Sequence, residues 1–309
     1  MRSLDVAVIG GGIAGVSAAI YAKRAGLDSL LFEPGLIGGQ LWLMECVDNY
    51  AGVDTGIKGA MFAQQLNKNL SALDIVPAKE KIISFLDDGK SIILKTDKSE
   101  YNSKTVIIAT GASPSRAGVK GELEFAGKGV SYCAVCDGFF FKGKAVAVVG
   151  GGNTAVEEAI YLSQMANKVY IIHRRDKFRA MDYLTSQLLS NSKIEPIFDT
   201  IIKEVVGSET VTGLSVENVK TKDNKDIPVN GLFVAIGIQP NTSFIDSMIK
   251  TDERGFIITD NNMVTSNNSI FACGDCRVRP LKQLITAAAE GAQAALSAYK
   301  KIKGQYISA

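Results

Sequence analysis

Short unbroken apolar runs recur along the chain: VAVI at 6–9, TVII at 105–108, VAVV at 146–149 and GLFV at 231–234. Each is rich in small and β-branched residues, as buried parallel strands are, and none alternates with polar positions. The first and third run into glycines and then into helical periodicity. The tail has the same grammar, with SIFAC, a Gly-Asp turn, and the small-residue helical pattern LKQLITAAAEGAQAALSAYKKI. Strands that alternate with helices in this way predict an α/β chain with parallel sheets.

Two of these segments align without a gap. Residues 6–15 read VAVIGGGIAG and residues 146–155 read VAVVGGGNTA. Gly10, Gly12 and Gly15 satisfy G-x-G-x-x-G, and Gly150, Gly152 and Ala155 satisfy the variant that ends in alanine. The first glycine makes the tight turn and the second lets the backbone approach a pyrophosphate. The third position must be small for helix–strand packing, and the helix N-terminus faces the phosphate charge. A lone fingerprint is weak, and its bland reading is a structural turn. Two in strand–turn–helix context predict two Rossmann-like dinucleotide-binding domains.

The copies diverge where specificity is set. The strand SLLFEP ends in Glu33, 23 residues after Gly10. A carboxylate there accepts from a ribose diol and repels a 2′-phosphate. At the same spacing after Gly150 the strand VYIIHRRDKFRA reaches His173, with Arg174, Arg175 and Arg179 close behind. Guanidinium groups pair bidentately with phosphate, so this site is expected to hold a 2′-phosphorylated adenosine, as in NADPH. The rival is a solvated charge run at a helix start. His173, the only histidine, is placed as a phosphate or ribose neighbour rather than a general base. FAD is the natural candidate for the first site, since two nicotinamides have no reason to share one chain.

Composition narrows the class without naming it. With 309 residues, 46% hydrophobic and 21% charged, the chain has the size and content of a two-domain globular protein. A net charge of +2 gives no argument for nucleic acid or an anionic membrane. No window approaches the roughly 20 apolar residues of a membrane span. The N-terminal apolar run is too short for a signal peptide, and its five cysteines do not form a secreted framework, so a cytoplasmic location is expected.

Cys133 and Cys136 stand in SYCAVCDGFF, and Gly150 follows Cys136 by 14 residues. A Cys-x-x-Cys pair closes a small disulfide ring and serves as a two-electron relay, and half a zinc site is the plainer reading. A neighbouring dinucleotide site favours the relay. Cys273 and Cys276 form a second such pair around Asp275, too far along the chain for a zinc ribbon with the first. These two and Cys46 are read as structural, and no metal site is expected. Gly- and Pro-marked junctions follow 105–111 and the strand 231–241. They suggest a nicotinamide domain at 114–240 inserted between the two parts of a flavin domain, 1–113 and 241–309, with hinge-like connectors.

The set GxGxxG, GGQ (38–40), VDN (47–49), ATG, CAVCDG, GGGNTAVEEA, HRRDKFRA, GIQPNT, CGD and LKQLITAA resembles the low-molecular-weight thioredoxin reductases of bacteria nearly end to end. The resemblance implies a homodimer that moves electrons from NADPH through FAD to Cys133–Cys136 and then to a thioredoxin-like protein. It also implies that Gly39, Gln40, Asn49, Gly111, Asp275 and Gln283 line the flavin. Cys136 would be the sulfur next to the flavin, Cys133 the exchanging thiol and Asp137 the acid/base. A domain rotation is implied, since one flavin face cannot meet nicotinamide and disulfide together. The chain departs from that pattern at Ile13, Ala51 and Lys282 and in the segment LWLMEC, whose Trp42 is read as core packing. The rival readings are an enzyme of the same fold using ferredoxin or oxygen, and a non-catalytic redox-sensing nucleotide-binding protein.

Overall fold

The run DVAVI enters the first strand, β1 (Arg2–Ile9), with Val6, Ala7 and Val8 wholly buried, as an apolar run flanked on both faces requires. The computed structural model describes residues 2–44, 46–245 and 248–304. After β1 come α1 (Ile13–Arg24), β2 (Ser29–Phe32), a short 3-10 turn (Gly39–Leu43), α2 (Gly59–Ser71), β3 (Ile82–Asp87), β4 (Ile92–Thr96) and β5 (Glu100–Ile108). The short β6 (Ala112–Pro114) leads to β7 (Val130–Ser131), α3 (Ala134–Asp137), β8 (Ala145–Val149), α4 (Asn153–Ser163), β9 (Lys168–Ile172), α5 (Asp182–Leu189) and β10 (Ile194–Ile197). Then follow β11 (Thr200–Gly207), β12 (Val211–Asn218), β13 (Asn224–Pro228), β14 (Gly231–Val234), β15 (Ile238–Pro240), β16 (Ile270–Ala272) and α6 (Leu284–Lys303).

By contact the chain divides into two compact units. The first takes the described residues of 2–44, 50–113 and 239–304, and the second those of 46–49 and 114–238. The second unit is thus inserted into a discontinuous first one.

In the first unit the strand order is β2-β1-β5-β4-β3, with β16 also on β5. The long β5 serves two neighbours: residues 100–103 pair antiparallel with β4, and 106–108 pair parallel with β16. The parallel strands β2, β1, β5 and β16 thereby bring their C-terminal ends to one edge, where ligands of such sheets bind. Gly291 allows α6 to lie on α1, because a Cβ there would collide with the carbonyl of Ala14.

The second unit is built on a wholly parallel sheet in the order β10-β9-β8-β14-β7. Val146, Ala147, Val148 and Phe233 are fully buried in it. Each large apolar side chain so buried contributes about 1.5–3 kcal/mol. The antiparallel β11-β12-β13 meander packs Val205, Val211 and Leu214 into a core shared with Ala147 and Ile172. The sequence suggests one strand across 231–241, but the structure ends β14 at Val234 and starts β15 at Ile238. Gly237, with φ +119°, turns the chain out of the sheet between them. Among the described residues no helix is long and apolar enough to cross a membrane.

Candidate active site

Both fingerprints fold into the same turn. Gly10 and Gly150 have φ +107° and +155°, and a Cβ on Gly10 would stand 2.5 Å from the carbonyl oxygen of Ala109. A Cβ on Gly12 or on Gly152 would meet nothing within 4 Å, so the turn is open at those glycines. Gly12 and Gly152 are also the N-caps of α1 and α4, and neither helix has a side-chain cap. Their first-turn N–H groups are therefore free to meet an anion in the cradle. Gly15 and Ala155 are packed beneath, with no room above Gly15 even for a methyl.

Glu33, just past β2, accepts the N–H of Gly11 on Oε2 and that of Gly35 on Oε1, each at 2.7 Å. It ties the turn to the strand end and keeps acceptor capacity for a ribose diol, since an ionised carboxylate has about four lone-pair sites. Gly39, with φ +54°, faces Gly12 across the same cradle. Gln40 donates to Ala112 O at 2.8 Å. Gly111 accepts the N–H of Asn241 at 3.0 Å. Gln283 caps α6 in a reciprocal pair with Thr286. Asn49 belongs to 46–49, the segment that clusters with the second unit rather than with these turns.

Asp275 follows the sheet edge at the end of β16. Its Oδ1 is buried without a hydrogen-bond partner, with Arg279 Nη1 3.8 Å away. Burial raises its pKa, and Arg279 and Lys282 pull the other way. A buried, unsatisfied acceptor at the strand ends fits a ligand hydroxyl such as a flavin side chain supplies. Around it the sequence reading missed a charge network. Glu290 accepts Gly274 N–H at 2.8 Å and pairs with Arg277 at 2.6 Å and Arg279 at 3.0 Å. Lys282 donates to the carbonyls of Asp275 and Arg277, both at 3.2 Å. The sequence signal was the Arg-x-Arg at 277–279, 11 residues ahead of Glu290, the one acid of α6.

In the second unit His173 ends β9 and is only 5% exposed. Its ring packs under Gly151, where a Cβ would collide with it, and stacks on Phe178. Burial and then Arg179, Arg175 and Arg174 lower its pKa, so it is neutral and supports the turn from below. Those three arginines are exposed, and none pairs with a carboxylate among the described residues. Arg179 N–H donates to Gly151 O at 2.7 Å, which anchors the cationic loop to the fingerprint. Unspent guanidinium groups beside an open helix N-terminus fit a phosphorylated ribose.

Cys133 and Cys136 form a disulfide, with Cα atoms 5.3 Å apart. Cys133 caps α3, its Sγ accepting Cys136 N–H at 3.2 Å. Ser131 holds both ends of the loop: its Oγ accepts Cys133 N–H at 3.1 Å and donates to Asp137 Oδ2 at 2.6 Å. Both cysteines and Asp137 are half-buried, so the disulfide is within reach of a partner. The second pair differs in every respect. Cys273 and Cys276 are wholly buried free thiols; burial pushes Cys276 up to about 11 and Cys273 well above its ordinary value. Among the described residues no cluster of His, Cys, Asp or Glu has the makings of a metal site.

Residues 4–292 match the pyridine nucleotide-disulphide oxidoreductase family. The chain belongs to that family. It is an oxidoreductase with an α/β fold of two Rossmann-like units and a redox disulfide. It is 43% identical over 302 residues to thioredoxin reductase of Helicobacter pylori, covering 95% of this chain and 97% of that one. It is 39% identical over 308 residues to thioredoxin reductase of Peptoclostridium acidaminophilum, with 98% of each chain covered. The solved thioredoxin reductase of Streptococcus pyogenes matches with TM-score 0.95 and 39% identity, over 98% of this chain and 99% of that one.

The reading of Trp42 as core packing is corrected. In this family member the 3-10 turn points Leu41 inward, wholly buried, and leaves Trp42 39% exposed. Its indole N–H is spent on Ile37 O at 2.9 Å, which closes the 37–42 turn from outside.

Proposed function

We propose that the protein is an NADPH-dependent thioredoxin-disulfide reductase, with FAD in the first unit and NADPH in the second. The observation that carries this is a half-buried disulfide in the same unit as a dinucleotide turn flanked by three unpaired arginines. Gly10, Gly12, Gly15, Glu33, Gly39, Gln40, Gly111, Asp275 and Gln283 would hold FAD. Gly150, Gly152, Ala155, His173, Arg174, Arg175 and Arg179 would hold NADPH. FAD held there would supply hydride acceptance and two-electron transfer, chemistry that no side chain here supplies.

The protein's own part is thiol exchange. Cys133 as thiolate attacks one sulfur of the partner disulfide and expels the other as thiolate. Cys136 then attacks Cys133 Sγ, which re-forms the Cys133–Cys136 bond and frees the partner as a dithiol. Asp137, held by Ser131 beside the loop, gives a proton to the leaving thiolate. The partner is a thioredoxin-like protein, the assembly a homodimer, and the compartment the cytoplasm.

The arginines favour this reading over one that uses ferredoxin or oxygen, neither of which needs cations beside a second nucleotide turn. A redox sensor needs no Asp137 beside the disulfide. Anaerobic flavin bleaching by NADPH, NADH and reduced ferredoxin, followed by reduction of a thioredoxin disulfide, tests it. Bleaching by NADPH and transfer to thioredoxin are expected. Bleaching by ferredoxin alone would assign the donor to the rival.

A further inference from the structure

The arginines of the second unit are exposed, yet the backbone that carries them is held at both ends and pinned in the middle. Between His173 and Ala180 the buried residues are His173, Phe178 and Ala180, while Arg174, Arg175 and Arg179 are exposed. Phe178, Arg179 and Ala180 alternate in, out, in, as an extended segment lying on a core does. Phe178 is the pin. Its ring stacks on His173 with centroids 5.8 Å apart and planes 30° apart, and it tilts against Phe198 at 4.8 Å. Only 9% of Phe178 is exposed, and it belongs to the core that buries Ala155 and Leu184.

Hydrogen bonds fasten the two ends. At the start, His173 N–H donates to Ile197 O at 2.9 Å, Thr200 N–H to His173 O at 3.0 Å and Asp199 N–H to Arg175 O at 3.1 Å. At the far end, two bonds reach back to the fingerprint turn. Arg179 N–H donates to Gly151 O at 2.7 Å, and Met181 N–H donates to the side chain of Asn153, Oδ1, at 2.9 Å. Asn153 is the first residue of α4, directly after its cap Gly152. Its side chain thus ties the end of the arginine segment to the helix N-terminus where a pyrophosphate would sit. A segment fixed in advance avoids the loss of affinity that comes from ordering backbone and long side chains on binding.

We propose that Asn153 and Phe178 are positioning residues that set the preference for a 2′-phosphorylated nucleotide, by holding the arginine segment against the fingerprint turn before the ligand arrives. The inference rests on the reading of Arg174, Arg175 and Arg179 as the 2′-phosphate site. Neither side chain is itself a phosphate ligand: Asn153 Oδ1 is an acceptor engaged by an amide, and the side chain of Phe178 has no polar atom. Their effect passes through the arginines. Guanidinium–phosphate pairing is directional, with two parallel N–H···O bonds from a planar fork, and a backbone free to shift at 179–181 loses that alignment. The 5′-phosphate side of the nucleotide, which both cofactor forms share, meets the glycine turn instead. Loosening the segment should therefore erode discrimination rather than binding in general.

The test is equilibrium binding of NADP+ and NAD+ to the holoprotein by calorimetry, since the two ligands differ only in the 2′-phosphate. Asn153→Ala removes the acceptor for Met181 and leaves the Gly152 cap in place. It should lower the NADP+ to NAD+ affinity ratio by about three- to tenfold, the worth of one hydrogen bond, with NAD+ binding unchanged. Phe178→Leu keeps an apolar pin but loses the ring stack, and should lower the ratio in the same direction. Without nucleotide, hydrogen–deuterium exchange across 174–181 should be faster in Asn153→Ala than in the wild type, and NADP+ should slow it again. An unchanged ratio in Asn153→Ala, equal weakening of both nucleotides, or unchanged exchange would overturn the inference and leave the proposed function intact. Asn153→Ala decides alone if Phe178→Leu fails to fold. Equal affinity of the wild type for NADP+ and NAD+ would overturn the NADPH reading and the inference with it.

Discussion

The hydroxyl of Ser131 donates to Asp137 Oδ2 at 2.6 Å while accepting the amide of Cys133, so one serine orients the acid and the nucleophile together. Asp137→Asn should slow thioredoxin reduction by roughly 10²- to 10⁴-fold, the usual worth of a general acid. Flavin reduction by NADPH should be spared, because no thiol leaves in that step. Ser131→Ala should give a smaller loss with the same pattern. Stopped-flow flavin bleaching beside steady-state disulfide turnover separates the steps, and wild-type turnover in Asp137→Asn would remove the acid from the mechanism.

The two cysteines should fail differently. Cys133→Ser should abolish thioredoxin turnover and leave Cys136 as a lone thiolate, visible as long-wavelength charge-transfer absorbance with oxidised flavin. Cys136→Ser should also lose turnover but show no such band. Spectra of the two variants decide the assignment; a charge-transfer band in Cys136→Ser alone would exchange the two roles.

Arg174 and Arg175 stand exposed and unpaired beside the second fingerprint. Charge-assisted phosphate bonds are worth about 1.5–3 kcal/mol each, so Arg174→Ala with Arg175→Ala should weaken NADPH by tenfold or more and leave NADH nearly unchanged. Michaelis constants for both donors check this. Equal efficiency of NADPH and NADH in the wild type would mean that the arginines serve another purpose.

Flavin retention should depend on Asp275, whose Oδ1 is buried without a hydrogen-bond partner. The purified protein should release FAD and not FMN on denaturation, and Asp275→Ala should lower FAD affinity at least tenfold. Chromatography of the released flavin and ultrafiltration of the variant are the measurements. A variant that keeps its flavin as tightly as the wild type would leave Asp275 as a turn residue only.

The thiols should sort by burial. After reduction at pH 8, Cys133 should react with a maleimide or disulfide reagent within seconds. Cys273 and Cys276, wholly buried and with Cys276 raised to about 11, should stay unmodified until the protein unfolds. Peptide mapping gives the answer, and early labelling of Cys276 would show that the β16 turn opens.

Local sequence determined whatever depends on spacing along one strand–turn–helix. The two glycine turns, Glu33 and His173 at equal distance behind them, and the Cys-x-x-Cys were legible because each motif is contiguous and its geometry follows from backbone conformation. Tertiary packing decided what depends on a neighbour distant in sequence. Nothing in VEEA told which acid turns inward, until α4 docked and buried Oε2 of Glu158 while Glu157 stayed exposed. Trp42 looked like core, but the 3-10 turn spends its N–H on Ile37 and gives the buried place to Leu41. The pairing of Glu290 with Arg277 and Arg279 required α6 to return over the end of β16. A side chain's burial and charge state are set by whatever packs against it, and that surface does not exist until the chain has folded.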